Sequence, residues 1–180
     1  MLIRENILNF PIGLIYAVIT TVIVARANLY ADVLLNVYYV LMNAYGWYYW
    51  LRGGVERRSS DGLMVLSVSS DLLWRLGGVT VAGTLVLGWG FDQFTNADLA
   101  YADSFTTVAS FVAMWMTAKK YLQCWHLWFV VDVVQVVVYT VKGYATDPGL
   151  FLYAGLYLVY LGLAVGGYLA WRNNLVHPSV

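Results

Sequence analysis

The chain has 180 residues, of which 61% are hydrophobic and only 11% charged, and its ten basic and ten acidic residues leave a formal net charge of zero. An average soluble domain carries roughly 25% charged residues, so this composition describes an integral membrane protein whose first partner is the lipid bilayer. The lack of any basic block excludes a nucleic-acid partner, the lone Cys124 excludes an internal disulfide, and His126 and His177 lie too far apart for a metal-ligand spacing, so neither metal nor cofactor is expected.

The opening Met1-Leu2-Ile3-Arg4-Glu5-Asn6 is charged, and the apolar stretch behind it has no small-residue cleavage site, so it reads as mature chain. A membrane-crossing helix needs about 20 mainly apolar residues. Six stretches qualify in chain order: 7–25, 30–51, 71–90, 101–118, 123–142 and 149–171. The runs are continuous, whereas a strand-built barrel would alternate apolar and polar residues over short segments. The expected fold class is therefore an all-α integral membrane bundle, one transporter-sized domain over 1–180 with about six transmembrane helices.

Only the connector between the second and third spans is long. Its second half, Leu63 to Ser70, is too short to cross and is expected to be a packed amphiphilic segment at the interface. Counting Lys and Arg in the short loops sets the orientation. Arg4, Arg52, Arg57, Arg58, Lys119, Lys120 and Arg172 fall on one side with Arg75 near them, against Arg26 and Lys142 on the other, so both termini are expected in the cytoplasm. The second span closes with Gly46-Trp47-Tyr48-Tyr49-Trp50 and the last with Gly167-Tyr168-Leu169-Ala170-Trp171. The same Gly-x-x-x-Trp ending on two helices of equal direction hints at a parallel internal repeat.

Four acids lie within or at the ends of spans. Asp71, Asp32 and Asp103 sit at helix starts, where a carboxylate can cap orphan backbone N–H groups. For Asp103 the following Ser104, Thr106 and Thr107 also suggest a polar entry. Asp132 is different, because it stands about ten residues from either end of its span, beyond the reach of any cap. A mid-bilayer acid costs roughly 2.5–3.5 kcal/mol on insertion scales and is retained where it faces a polar partner or a ligand cavity. On a helical period Trp125, Trp128, Asp132 and Gln135 share one face. Two aromatic planes, a carboxylate and an amide suit a flat cationic ring with polar substituents; an acid that merely glues helices together is the alternative. Asn36, Asn43 and Trp47 form a further stripe on the second span, facing the bundle or a cavity, while Tyr153, Tyr157 and Tyr160 read as packing or interface anchors. No nucleophile-base pair, His-x-x-x-His spacing or phosphate loop is present, so neither an enzyme nor an ATP-driven pump is expected.

The runs Leu29 to Asn36, Tyr45 to Trp50, Asp103 to Ser110, and Trp125 to Trp128 continuing to Asp132, resemble the PnuC family of vitamin-precursor transporters, and the likeness covers nearly the whole chain. The resemblance implies an architecture related to the sugar carriers, facilitated diffusion of nicotinamide riboside with thiamine and riboflavin as relatives' substrates, and a cytoplasmic kinase that traps the substrate. It also implies a homo-oligomer, a trimer, in the cytoplasmic membrane. Its Trp-x-x-x-Asn element corresponds to Trp128 and Asp132, with Asp in place of Asn, and Asn36 falls where Gln is common. Those positions together with the helical faces and polar entry read above make the expected substrate-binding set Trp128, Asp132, Trp125, Gln135, Asn36, Asn43, Trp47, Asp103 and Thr106. Glycines such as Gly46, Gly143 and Gly155 would allow close packing or bending as two helix sets rock around the site. Family members have seven spans, three plus a linker plus three, and this chain starts at what resembles the second. Thiamine or riboflavin transport, and a non-transporting structural or signalling membrane subunit, are the alternatives.

Overall fold

A computed structural model describes residues 2–26, 30–52, 58–59, 62–95 and 98–175. Within them the chain forms six α-helices: α1 (Asn9–Arg26), α2 (Tyr30–Arg52), α3 (Ser70–Phe94), α4 (Ala100–Ala118), α5 (Cys124–Ala145) and α6 (Phe151–Asn173). Short 3-10 turns, Leu2–Arg4 and Pro148–Leu150, precede α1 and α6. A two-residue pairing sets β1 (Arg58–Ser59) antiparallel to β2 (Gly62–Leu63). Each expected span corresponds to one helix, and the largest difference is that α3 runs on to Phe94. By length and apolar composition α3, α5 and the stretch Pro148–Asn173 can cross a membrane, and α1 is apolar over Asn9–Ile23. The outward faces are apolar, with Ile15, Tyr16, Val86, Trp74 and Leu152 all exposed, as lipid-facing helices require.

Local chemistry sets the helix ends. Ser69, in extended backbone, caps α3 by accepting from the Leu72 amide at 3.4 Å. The cap is thus not Asp71, which instead pairs with Arg75 one turn on at 3.0 Å, fully in the open. The connector Leu63 to Ser70 is packed, as its pattern suggested. Leu63, Val65 and Val68 are buried, and the strand-like segment bridges to Tyr121 and to Leu175. Gln123 fixes its far end, accepting from the Val68 amide at 2.9 Å and donating to Ser67 Oγ at 2.6 Å. Arg57 and His177 lie outside the described residues.

The helices pack as the pairs α1–α2, α3–α4 and α5–α6, with α4 lying between α5 and α2. The repeated Gly-x-x-x-Trp ending has a structural meaning. Gly46 on α2 takes Phe10 of α1 against its bare backbone, and Gly167 on α6 takes Trp125 of α5. Phe10 meets Trp50 edge-on at 4.9 Å and Trp125 meets Trp171 edge-on at 5.3 Å, and the two pairs join through Trp50 and Trp171 at 6.0 Å. The pairs α1–α2 and α5–α6 therefore repeat one packing motif, and their aromatic quartet locks the two halves together at one end of the bundle.

Candidate functional site

A cavity of about 400 Å³ opens between α2, α4, α5 and α6, within the range of roughly 300–1,000 Å³ typical of small-molecule sites. The α5 face read from the sequence lines it: Trp125, Trp128, Asp132 and Gln135, with Val131 between them. Three or four residues per turn place these side chains one above another. Trp128 is held by its indole N–H, which donates to Thr117 Oγ1 at 3.1 Å, while the Thr117 hydroxyl donates to the Ala113 carbonyl at 2.8 Å. Trp125 is wedged between Gly167 and Trp171, and its own Nε1 is buried with no hydrogen-bond partner among the described residues. Asp132 is 5% exposed, and no cation lies within ion-pair distance of it among the described residues. A carboxylate sequestered without a counter-charge is a strong attractor for a cation that enters the cavity.

Polar groups face it from α4. Thr106, Thr107 and Ser110 line the cavity, and the two threonine hydroxyls donate back to the Asp103 carbonyl at 3.0 and 2.8 Å, which leaves their oxygens free to accept from a ligand. From α6 come Tyr157, Tyr160, Leu163 and Ala164, and from α2 come Leu35 and Tyr39. Tyr139 of α5 stacks on Tyr153 at 5.2 Å and on Tyr157 at 5.5 Å, which links the cavity wall at Tyr157 to the α5–α6 contact.

Four residues in the expected binding set stand elsewhere. Asn43 donates to the Tyr39 carbonyl at 2.8 Å and lies against Gly13 of α1, at the α1–α2 contact. Asn36 is buried but does not line the cavity, and Trp47 is 38% exposed. Asp103 forms an ion pair with Lys142 at 3.0 Å, tying α4 to α5 beyond the cavity's threonines. The side chain of Asp32 lies outside the described residues. Conversely, Tyr157 and Tyr160, read as anchors, line the cavity, as do Tyr39 and Ser110. Their three- and four-residue spacing with Ala164 was the available signal. Of the glycines, Gly46 and Gly143 do receive neighbouring rings, but Gly155 has nothing within 4 Å of its missing side chain among the described residues.

Residues 1–173 match the sequence pattern of the family described as nicotinamide mononucleotide transporter. The chain belongs to that family. Among curated relatives, the nicotinamide riboside transporter PnuC of Escherichia coli is 26% identical over 192 residues, covering 94% of this chain and 78% of the relative. The protein of the same name from Neisseria mucosa is 26% identical over 181 residues, covering 98% of this chain and 68% of the relative. A riboflavin/roseoflavin transporter, RibM of Streptomyces davaonensis, is 27% identical over 133 residues, covering 71% and 57%. The solved structure of the vitamin B3 transporter PnuC superposes with a TM-score of 0.70 at 22% identity, covering 96% of this chain and 74% of that one, and shows the shared fold. As a member of the nicotinamide mononucleotide transporter family the chain is a membrane transporter and not an enzyme.

Proposed function

We propose that the chain carries nicotinamide riboside into the cell across the cytoplasmic membrane by facilitated diffusion, with uptake pulled by intracellular phosphorylation. The observation that carries this reading is Asp132, a carboxylate with no ion-pair partner among the described residues, facing a cavity walled by Trp125, Trp128, Tyr157 and Tyr160. The nicotinamide ring of the riboside is flat and cationic, so it gains both stacking and charge pairing there, while Gln135, Thr106, Thr107 and Ser110 offer donors and acceptors to ribose hydroxyls. The names of two relatives point to the same substrate. Orientation follows the basic residues, so the end bearing Arg4, Arg52, Lys119, Lys120 and Arg172 faces the cytoplasm, where a vitamin kinase would act. Family resemblance extends the proposal to a homotrimer.

The test is uptake of labelled nicotinamide riboside into proteoliposomes with no ion gradient. Saturable downhill entry that a proton or sodium gradient leaves unchanged supports the proposal, and entry only with a gradient contradicts facilitated diffusion. In the same vesicles Asp132→Asn should lower affinity for the cationic riboside by about tenfold, the effect of one lost charge-assisted contact, while leaving the folded yield intact. Thiamine is also cationic, and uptake of thiamine with none of the riboside would reassign the substrate within the family.

A further inference from the structure

The cavity has a floor that the transport reading does not use. Leu2, from the 3-10 turn Leu2–Arg4 ahead of α1, lines the cavity together with α5 and α6 residues. The turn is tied down at three points. Trp171 Nε1 donates to the Leu2 carbonyl at 3.3 Å, Asn174 Nδ2 donates to Glu5 Oε1 at 2.6 Å, and Glu5 Oε2 meets Lys120 Nζ at 2.5 Å. Lys120 is 3% exposed, donates also to the Leu63 carbonyl and lies over the Trp50 ring at 4.8 Å. Its ammonium thus gathers the segment before α1, the connector strap, the α4–α5 turn and the α2 end into one knot.

The backbone adds an independent observation. Among the described residues Glu5 (φ 53°) and Lys120 (φ 58°) are the two non-glycine residues with positive φ, and they are each other's ion-pair partners. Left-handed backbone at a residue with a side chain is sparsely populated and persists where surrounding contacts hold it. At Lys120 that backbone closes α4, with the Lys120 and Tyr121 amides donating to the Thr117 and Met116 carbonyls, and at Glu5 it closes the 3-10 turn, with the Glu5 amide donating to the Leu2 carbonyl, so the ion pair joins two turns that hold their own shape and its loss can be reversible.

We infer that the Leu2–Arg4 turn is the inner gate of the cavity, with Leu2 as its plug and Glu5 and Lys120 as positioning residues that latch it shut. Release of the latch opens the cavity toward the end of the bundle that bears Lys119 and Arg172, away from the end where Asp103 pairs with Lys142. The inference depends on the cavity geometry and not on which ligand the cavity takes.

A cysteine placed in the cavity reads the gate without any ligand. In sealed vesicles carrying Ser110→Cys, with the parent chain and its buried Cys124 as the background, the modification rate by a membrane-impermeant thiol reagent is measured from each face. Adding Glu5→Gln, which removes the charge and keeps the shape, should raise the rate about tenfold from the Lys119 face alone. Leu2→Ala, which leaves the ion pair in place, should raise it from the same face and guards against misfolding of the charge variant. Size-exclusion profiles confirm that the compared proteins are folded. Unchanged rates in both variants, or an increase from the opposite face, would overturn the gate. Raised accessibility combined with no binding of nicotinamide riboside would leave the gate standing and defeat only the substrate proposal.

Discussion

Gly167 offers a test in which packing, fold and site are linked. A methyl group built on Gly167 would fall inside van der Waals distance of the Trp125 ring atoms Cη2, Cζ2 and Cζ3, whereas one built on Gly162, five residues earlier on α6, meets nothing within 4 Å. Both positions are helical, so the gain in helix propensity from Gly→Ala, about 1 kcal/mol, is common to the two variants and cancels in their comparison. What remains is the overpacking at Gly167, about 1–3 kcal/mol. Trp125 cannot yield cheaply, because it is 5% exposed and set edge-on against a fully buried Trp171. At about 2–4 °C per kcal/mol for a chain of this size, Gly167→Ala should melt several degrees below Gly162→Ala in thermal unfolding of the detergent-purified protein. Because Trp125 also lines the cavity, the first variant should bind ligand less well and the second should not. Equal melting temperatures, or a more stable Gly167→Ala, would refute the assignment of the Gly-x-x-x-Trp endings to close aromatic packing.

Thr117→Val removes the acceptor for the Trp128 indole at almost constant volume and should weaken ligand binding by about 1 kcal/mol, with Thr117→Ser restoring it; a shifted tryptophan emission spectrum in the valine variant alone is the accompanying signature. Asp103→Asn and Lys142→Met, taken singly and together, should show a coupling energy of no more than about 1 kcal/mol in a double-mutant stability cycle, because the two side chains are 33% and 26% exposed. A much larger coupling would mean that the Asp103–Lys142 end of α4 and α5 is closed off from water more tightly than the geometry shows.

The helices were legible because lipid forces every backbone group into internal hydrogen bonds, so a long apolar run has few alternatives to a membrane-crossing helix. Asp132 was legible for a related reason: an acid in the middle of such a run has no cheap explanation, and its helical neighbours Trp125, Trp128 and Gln135 follow from periodicity alone. The α2 contribution was not legible. Its polar stripe was expected to face the bundle or a cavity; Asn36 and Asn43 are buried in the bundle, Asn43 on the Tyr39 carbonyl and the α1 contact, while Trp47 is 38% exposed and the cavity receives Leu35 and Tyr39 instead. Both stripes have helical spacing, and only the packing of α1 decides between them. Tyr157 and Tyr160 gave no separate sign that they line the cavity, because a tyrosine serves equally well as an interface anchor and as the wall of a cavity. The Glu5–Lys120 contact joins residues remote in sequence through two turns of unusual backbone, for which a single sequence carries no periodic signal.

The most direct test of the transport account is titration of the detergent-purified chain with nicotinamide riboside, thiamine and riboflavin in turn, followed by tryptophan fluorescence. The account predicts saturable quenching by nicotinamide riboside that is lost in Trp128→Ala and strongly weakened in Asp132→Asn. No response to the riboside from folded protein, or quenching that Asp132→Asn leaves unchanged, would contradict it.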